Sequence, residues 1–300
     1  KTFTSKITLC IPNRLIEGYG PNMRIMNEML TKKVNILFTL DCGTTAFDII
    51  DNKKFKDIDV IVIDHHLSEI KLPKVHSIIN PNRFDENNIF KELAAVGVTF
   101  LFLMCLRKKL RECDYITKQN EPNLLAFLDL VALGTVCDVV KLTNFNRAIV
   151  KKGLELIKQR NNKSITKIID NSTINSTPTS EDLSYIVGPQ LNAASRIDDS
   201  SLSSKFLITS DIVKIESISK KLYLLNEKRK LIEKTIYQEA IIQAEKQIKS
   251  KYILVCGNNW HNGVLGIIAS KITNLLHKPA IVISFINKVG NGSARSIENI

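Results

Sequence analysis

An aspartate followed by two histidines, Asp64-His65-His66, closes a short apolar run, and Asp41 and Asp138 each end an apolar segment beside small residues. Hard divalent cations take carboxylate oxygens, and imidazole adds a donor that suits manganese-like metals. The triplet by itself leaves two readings open, metal or phosphate chemistry on one side and solvated loop histidines on the other. With Asp41 and Asp138 added, the inventory is that of a divalent-metal site. Cys42 and Cys137 adjoin the expected ligands, but a thiol nucleophile needs a paired base, so both are expected to pack.

These residues need elements to position them. Residues 34–40 and 59–63 are β-branched, apolar runs that each lead into an aspartate, with a helical pattern at 45–55 between them. This predicts a βαβ unit, since a parallel crossover needs roughly a dozen residues or more. Asp41 and Asp64 then stand at the carboxyl ends of neighbouring parallel strands, the edge where open α/β sheets bind ligands. Apolar helices are expected at 93–110 and 123–133, the second running into Gly134-Thr135-Val136-Cys137-Asp138. The polar stretch 161–180 reads as a loop region, and 211–249 as one long amphipathic helix free of Gly and Pro. Strands at 252–256 and 280–285 flanking a helix at 266–276 predict a second, smaller α/β unit.

With 42 Lys+Arg against 30 Asp+Glu and a formal charge of +12, the chain favours a polyanionic partner, because phosphates neutralised by side chains release condensed counterions. The six cysteines form no C-x-x-C pair and no zinc spacing, so a reducing cytoplasm fits and a disulfide framework does not. No apolar run reaches membrane length and no signal peptide is evident. The chain starts at Lys1 and stops at Ile300 without a terminating feature, and is expected to be an internal piece of a longer protein.

A series of short motifs resembles, in order, those of the RecJ family of DHH phosphoesterases. It begins with Ile11-Pro12-Asn13-Arg14, Glu17-Gly18-Tyr19-Gly20, Asp41-Cys42-Gly43-Thr44-Thr45, Asp64-His65-His66, Asn80-Pro81-Asn82-Arg83 and Leu93-Ala94-Ala95-Val96-Gly97. It continues with the segment from Ala132 to Val140, the segment from Gly188 to Arg196, Trp260-His261 with Gly263-Val264-Leu265-Gly266, and Gly292-Ser293-Ala294-Arg295-Ser296. The resemblance implies a parallel-sheet DHH domain at 1–160, a helical connector at 161–249 and a smaller α/β DHHA1 domain at 250–300. It implies Asp41, His65 and Asp138 as metal ligands, with Asp41 bridging two Mn2+ or Mg2+ ions. His66 would meet the scissile phosphate and Asp64 would orient the histidines.

Ser293 and Arg295 would clamp a 5′-terminal phosphate, with Ser296 beside them and Arg14 as a weaker candidate. The activity implied is 5′-to-3′ hydrolysis of single-stranded DNA, with a helicase and a single-strand-binding protein as potential partners. Two rivals are an oligoribonuclease or nucleotide phosphoesterase of the same family and a DHH-derived DNA-binding scaffold without catalysis. The first usually ends in a Gly-Gly-His-type motif, where this chain has Gly-Ser-Ala-Arg-Ser; the second has no need of clustered ligands. Gln190 and Ser195 replace the family's usual Arg and Gly, and Arg196 is expected either to contact DNA or to brace the fold. The family's upstream Asp-x-Asp motif has no counterpart before Ile11, so this chain alone is expected to hold its ions weakly and to cleave poorly.

Overall fold

Strands β1 (Ile36–Leu40) and β2 (Asp59–Ile63) pair in parallel from Ile36↔Asp59 to Leu40↔Ile63, as the βαβ reading requires. A third strand, β3 (Ser77–Ile79), adds to β2 in parallel, giving the order β1-β2-β3. The coordinates are a computed structural model that describes residues 6–174 and 177–297 and falls into two units. The first comprises Glu17–Pro189 with Thr209–Ile215 and the residues up to Pro12, and the second Asn13–Ile16, Gln190–Ile208 and Glu216 onward.

In chain order the helices before and within this sheet are α1 (Arg14–Glu17), α2 (Met23–Thr31) and α3 (Phe47–Ile50). The helix expected at 45–55 is thus two short pieces, α3 and a 3-10 turn Lys53–Phe55. Asp51 and Asn52 break it, Asn52 capping the second piece by accepting from Lys54 N at 3.0 Å. After β3 come α4 (Ala95–Glu112), α5 (Leu128–Cys137), α6 (Asn144–Lys158), α7 (Lys163–Asp170) and α8 (Ser180–Asp182). Helix α7 corrects the expectation of a loop across 161–180. Its polar composition hides an apolar stripe, Ile165, Ile168 and Ile169, and an Asn162 cap that accepts from Ile165 N.

The period-2 alternation of β2 divides its side chains between two cores. Val60 and Val62 pack with Ile25, Met29, Ile50 and Ile58 on one face, and Ile61 and Ile63 with Leu93, Val98 and Phe102 on the other. Each fully buried aliphatic contributes roughly 1.5–3 kcal/mol, enough to fix the register that brings both strand ends to one edge. Helix α5 runs on through Gly134 to Cys137, so Asp138 is a helix C-cap and does not end a strand.

The second unit holds α9 (Gly188–Ile197) from Gln190 on, α10 (Leu202–Ile208) and most of α11 (Ile212–Glu245), the long helix expected at 211–249. It closes with β4 (Ile253–Asn258), α12 (Asn262–Leu276), β5 (Ala280–Ile286) and β6 (Val289–Arg295). Strands β4 and β5 are parallel and β6 returns antiparallel, a strand absent from the sequence expectation because Gly290 and Gly292 lower its strand propensity. The free edge of β4 is closed by side chains. Gln243 and Gln247 each donate to and accept from one strand residue, Cys256 and Leu254 respectively, at 2.7–3.1 Å.

Helix α5, which ends in Asp138, is fixed by α6 through one glycine. A Cβ at Gly153 would overlap the Ala132 side chain and the Leu128 carbonyl of α5. Gly153→Ala is therefore expected to destabilise the chain by about 1–3 kcal/mol despite its better helix propensity, read as a lower midpoint in urea. A midpoint equal to wild type would show that the two helices have room to separate.

Candidate metal centre

Asp64 is the fixed point of the site, only 2% exposed at the end of β2. Its Oδ1 accepts from His65 N at 2.8 Å, from His66 N at 3.3 Å and from His66 Nδ1 at 2.7 Å. Its Oδ2 accepts from Thr44 N at 3.1 Å. Burial alone would raise the carboxyl, but these hydrogen bonds, led by His66 and Thr44, hold it below the usual carboxylate range. Because the charged Asp64 takes the proton side of Nδ1, the neutral His66 ring turns an unprotonated Nε2 away from it.

Two asparagines that follow β3 hold the same loop. Asn80 donates to Thr44 Oγ1 at 2.9 Å and to His66 O at 2.8 Å, and Asn82 donates to His65 O at 2.6 Å and to Lys91 O at 2.9 Å. The Asn80-Pro81-Asn82-Arg83 motif is legible in the sequence, but not that its amides hold both histidine carbonyls.

His65 shows what the site takes. Its Nδ1 lies 3.0 Å from Leu93 O, a group that can only accept, so in the neutral ring Nδ1 carries the hydrogen and Nε2 the lone pair. That Nε2 is buried without a hydrogen-bond partner, yet it stands 3.3 Å from Asp41 Oδ1 and 3.3 Å from Asp138 Oδ2. A lone pair facing two carboxylate oxygens is repulsive unless a proton or a metal ion lies among them. With a proton as the guest, the pair raises the His65 pKa, the hydrogen bond to Asp41 leading against burial. Asp138 is raised as well, by burial first and by Asp41, with His65 opposing. The donor set, two carboxylates and an imidazole whose far nitrogen is tied to a carbonyl, fits a divalent cation.

Asp41, His65 and His66 each offer a ligand atom within 4.8 Å of the others, and the histidine ring centroids are 4.7 Å apart. Backbone conformation helps to aim the carboxylates: Asp41 has φ 63° directly after β1, and Val139, following Asp138, has φ 61°. A β-branched residue there is strained, and such outliers collect where a site holds the backbone in place. The two thiols behave as packing groups. Burial, with Asp64 and Asp41, pushes Cys42 up to about 12, and burial with Asp138 pushes Cys137 to about 11.

The remaining expected residues gather in the second unit. Arg295 Nη1 reaches Ser293 Oγ at 3.5 Å and donates to Ala294 O at 2.7 Å, and Ser296 follows directly after β6. Arg14 is lowered to about 10, by burial first and then by Arg196 and Arg295. Arg196, left between two roles by the sequence, donates from Nη1 to Gly263 O at 3.1 Å and is lowered by burial and by Arg229 and Arg295, against Glu233. Mutually repelling guanidiniums half out of water favour an anion beside them. Trp260 is 3% exposed and donates to Glu239 at 2.8 Å, which fits packing and leaves no face for a base.

Residues 1–135 match the model of the DHH family, N-terminal domain. Along nearly all its length it is homologous to RecJ. The single-stranded-DNA-specific exonuclease RecJ of Haemophilus influenzae is 36% identical, the match covering 99% of this chain and 53% of that protein. A crystal structure of exonuclease RecJ bound to manganese superposes with a TM-score of 0.82 at 28% identity, over 97% of this chain and 70% of that one. RecJ of Thermus thermophilus in complex with Mn2+ gives 0.79 at 28% identity, over 93% and 40%. The chain spans about half the length of the curated relatives it matches, 53% of each of the first four.

Removing the clamp should loosen the histidines without touching a ligand. Asn82→Ala is expected to cost about 1–3 kcal/mol of stability, because it leaves the His65 and Lys91 carbonyls without their donor. Mn2+ affinity should fall about 10- to 100-fold, as for other groups that orient metal ligands. Titration calorimetry at a temperature where both proteins are folded separates the two effects; unchanged Mn2+ affinity would rule out the positioning role.

Proposed function

We propose that the protein containing this chain is a metal-dependent exonuclease that hydrolyses single-stranded DNA from its 5′ end. The observation that carries this is the His65 Nε2 lone pair set between Asp41 and Asp138. The similarity to RecJ enzymes, two of them bound to manganese, supports it. Asp41, His65 and Asp138 would hold divalent ions, Mn2+ or Mg2+, which when bound supply an activated water and stabilise charge on the phosphoryl oxygens. His66, anchored through Nδ1 by Asp64, presents Nε2, which would take up a proton in the neutral ring and, once protonated, donate to a phosphate oxygen. Asp64 acts through the loop it organises, since none of its hydrogen bonds goes to the His65 ring.

The basic cluster of the second unit gives the substrate its polarity. Arg295 with Ser293, and Arg14 and Arg196 with them, would take a terminal phosphate by charge-assisted hydrogen bonds, Ser296 lying next along the chain. On this reading residues 1–160 are the DHH domain, 161–249 the connector and 250–300 the DHHA1 domain. Six free cysteines are consistent with a cytoplasmic setting, and among the described residues no helix is long and apolar enough to cross a membrane. A helicase and a single-strand-binding protein are the partners such an enzyme would work beside.

In the full-length protein with Mn2+, Asp138→Ala is expected to slow mononucleotide release from a 5′-phosphorylated strand by at least about 100-fold with the fold retained, beyond the loss typical of a mere orienting group. Wild-type activity in that variant would remove the metal assignment. Arg295→Ala should lower the preference for 5′-phosphate over 5′-hydroxyl strands about tenfold, the scale of one hydrogen bond to a charged group. Equal loss on both substrates would make Arg295 a general backbone contact.

A further inference from the structure

The two glycines of the Gly263-Val264-Leu265-Gly266 segment sit inside α12, where glycine lowers helix stability and calls for a packing reason. For Gly263 the reason is backbone: a Cβ would overlap the Arg196 carbonyl. For Gly266 it is the clamp. A Cβ there would stand 3.1 Å from Ser293 Oγ and 3.5 Å from Arg295 Nη2, and it would meet no other group closer than these. Thr273, about two turns further along α12, donates to Arg295 O at 3.3 Å and so ties the end of β6 to the same helix. The strand cannot retreat freely from the glycine. What can yield is the Ser293 hydroxyl and the Arg295 guanidinium, the groups that would bind phosphate.

The geometry points to Gly266 as a specificity-determining position, whose missing side chain lets Ser293 and Arg295 close into a terminal-phosphate clamp. This rests on the reading of those two residues given above. A methyl group at 266 displaces the Ser293 hydroxyl by a few tenths of an ångström and comes into van der Waals contact with the Arg295 guanidinium, taking up the space in which the two would close on a phosphate. Internal single strand, held by the wider basic surface, feels little of this.

The test is Gly266→Ala beside Arg295→Ala in the full-length protein, with binding of 5′-phosphorylated and 5′-hydroxyl oligonucleotides measured by fluorescence anisotropy and folding by thermal melting. The expected result for Gly266→Ala is an unchanged or higher Tm, internal-strand affinity within about twofold of wild type, and a 5′-phosphate preference reduced about tenfold. An unchanged preference in Gly266→Ala, while Arg295→Ala loses it, overturns the role of Gly266 alone. Preference unchanged in both overturns the clamp itself. A Gly266→Ala protein that fails to fold also overturns the proposal, because the glycine would then be a packing requirement of α12 against β6.

Discussion

The lone pair on His65 Nε2, held between Asp41 and Asp138, is the constraint on which the first unit depends. Three groups rich in electron density face one another because distant parts of the chain deliver them there. β1 ends at Asp41, β2 at the Asp64 loop and α5 at Asp138, so parallel pairing of β1 with β2 and the tight crossing of α6 on α5 are both needed to bring them together. The arrangement is unfavourable without a cation, and the apolar cores on both faces of β2 supply the free energy that maintains it. Strain at Val139 and burial of Asp64 belong to the same cost.

Asp64 explains how one buried acidic group can organise a loop. Buried carboxylates are tolerated when hydrogen bonds replace the lost water, and four donors do so here. Those donors are the backbone of the two histidines, the ring of one and the backbone of Thr44, so satisfying Asp64 also fixes the loop. Asn80 and Asn82 complete the arrangement by donating to the carbonyls of the same histidines. Neutralising Asp64 would thus release ring orientation and loop conformation together, which is why its effect on chemistry would be indirect and large.

How much of this is legible in the sequence follows from the range of the forces involved. The strand ends at Asp41 and Asp64 are readable because β-branched runs and their period are local signals, and so is the long helix α11. The sequence pattern misleads at α3 and α7, where the decisive feature is a break or a cap: Asn52 interrupts a periodic pattern, while Asn162 starts a helix inside a stretch that composition marks as loop. Asp138 follows the expected apolar helix, which runs on to Cys137 before Asp138 caps it. The ligand types follow from residue chemistry and motif resemblance. Their orientation comes from hydrogen bonds spanning many residues, such as His65 to Leu93, and no local pattern announces those.

The two units present complementary electrostatic problems. In the first, carboxylates converge on an unprotonated nitrogen and favour a cation; in the second, the Arg14, Arg196 and Arg295 guanidiniums repel one another and favour an anion. Stability alone would select against both, because each converging set raises the energy of the folded chain relative to a dispersed arrangement. Glu233 shows how the second unit compensates charge for structural ends. It is buried between Arg229 and Lys271 and pairs with both. Its field also reaches Arg196, yet burial and the repulsion from Arg229 outweigh it there, and the Arg196 guanidinium stays depressed. Glu233 thus neutralises Arg229 and Lys271 and compensates Arg196 only in part.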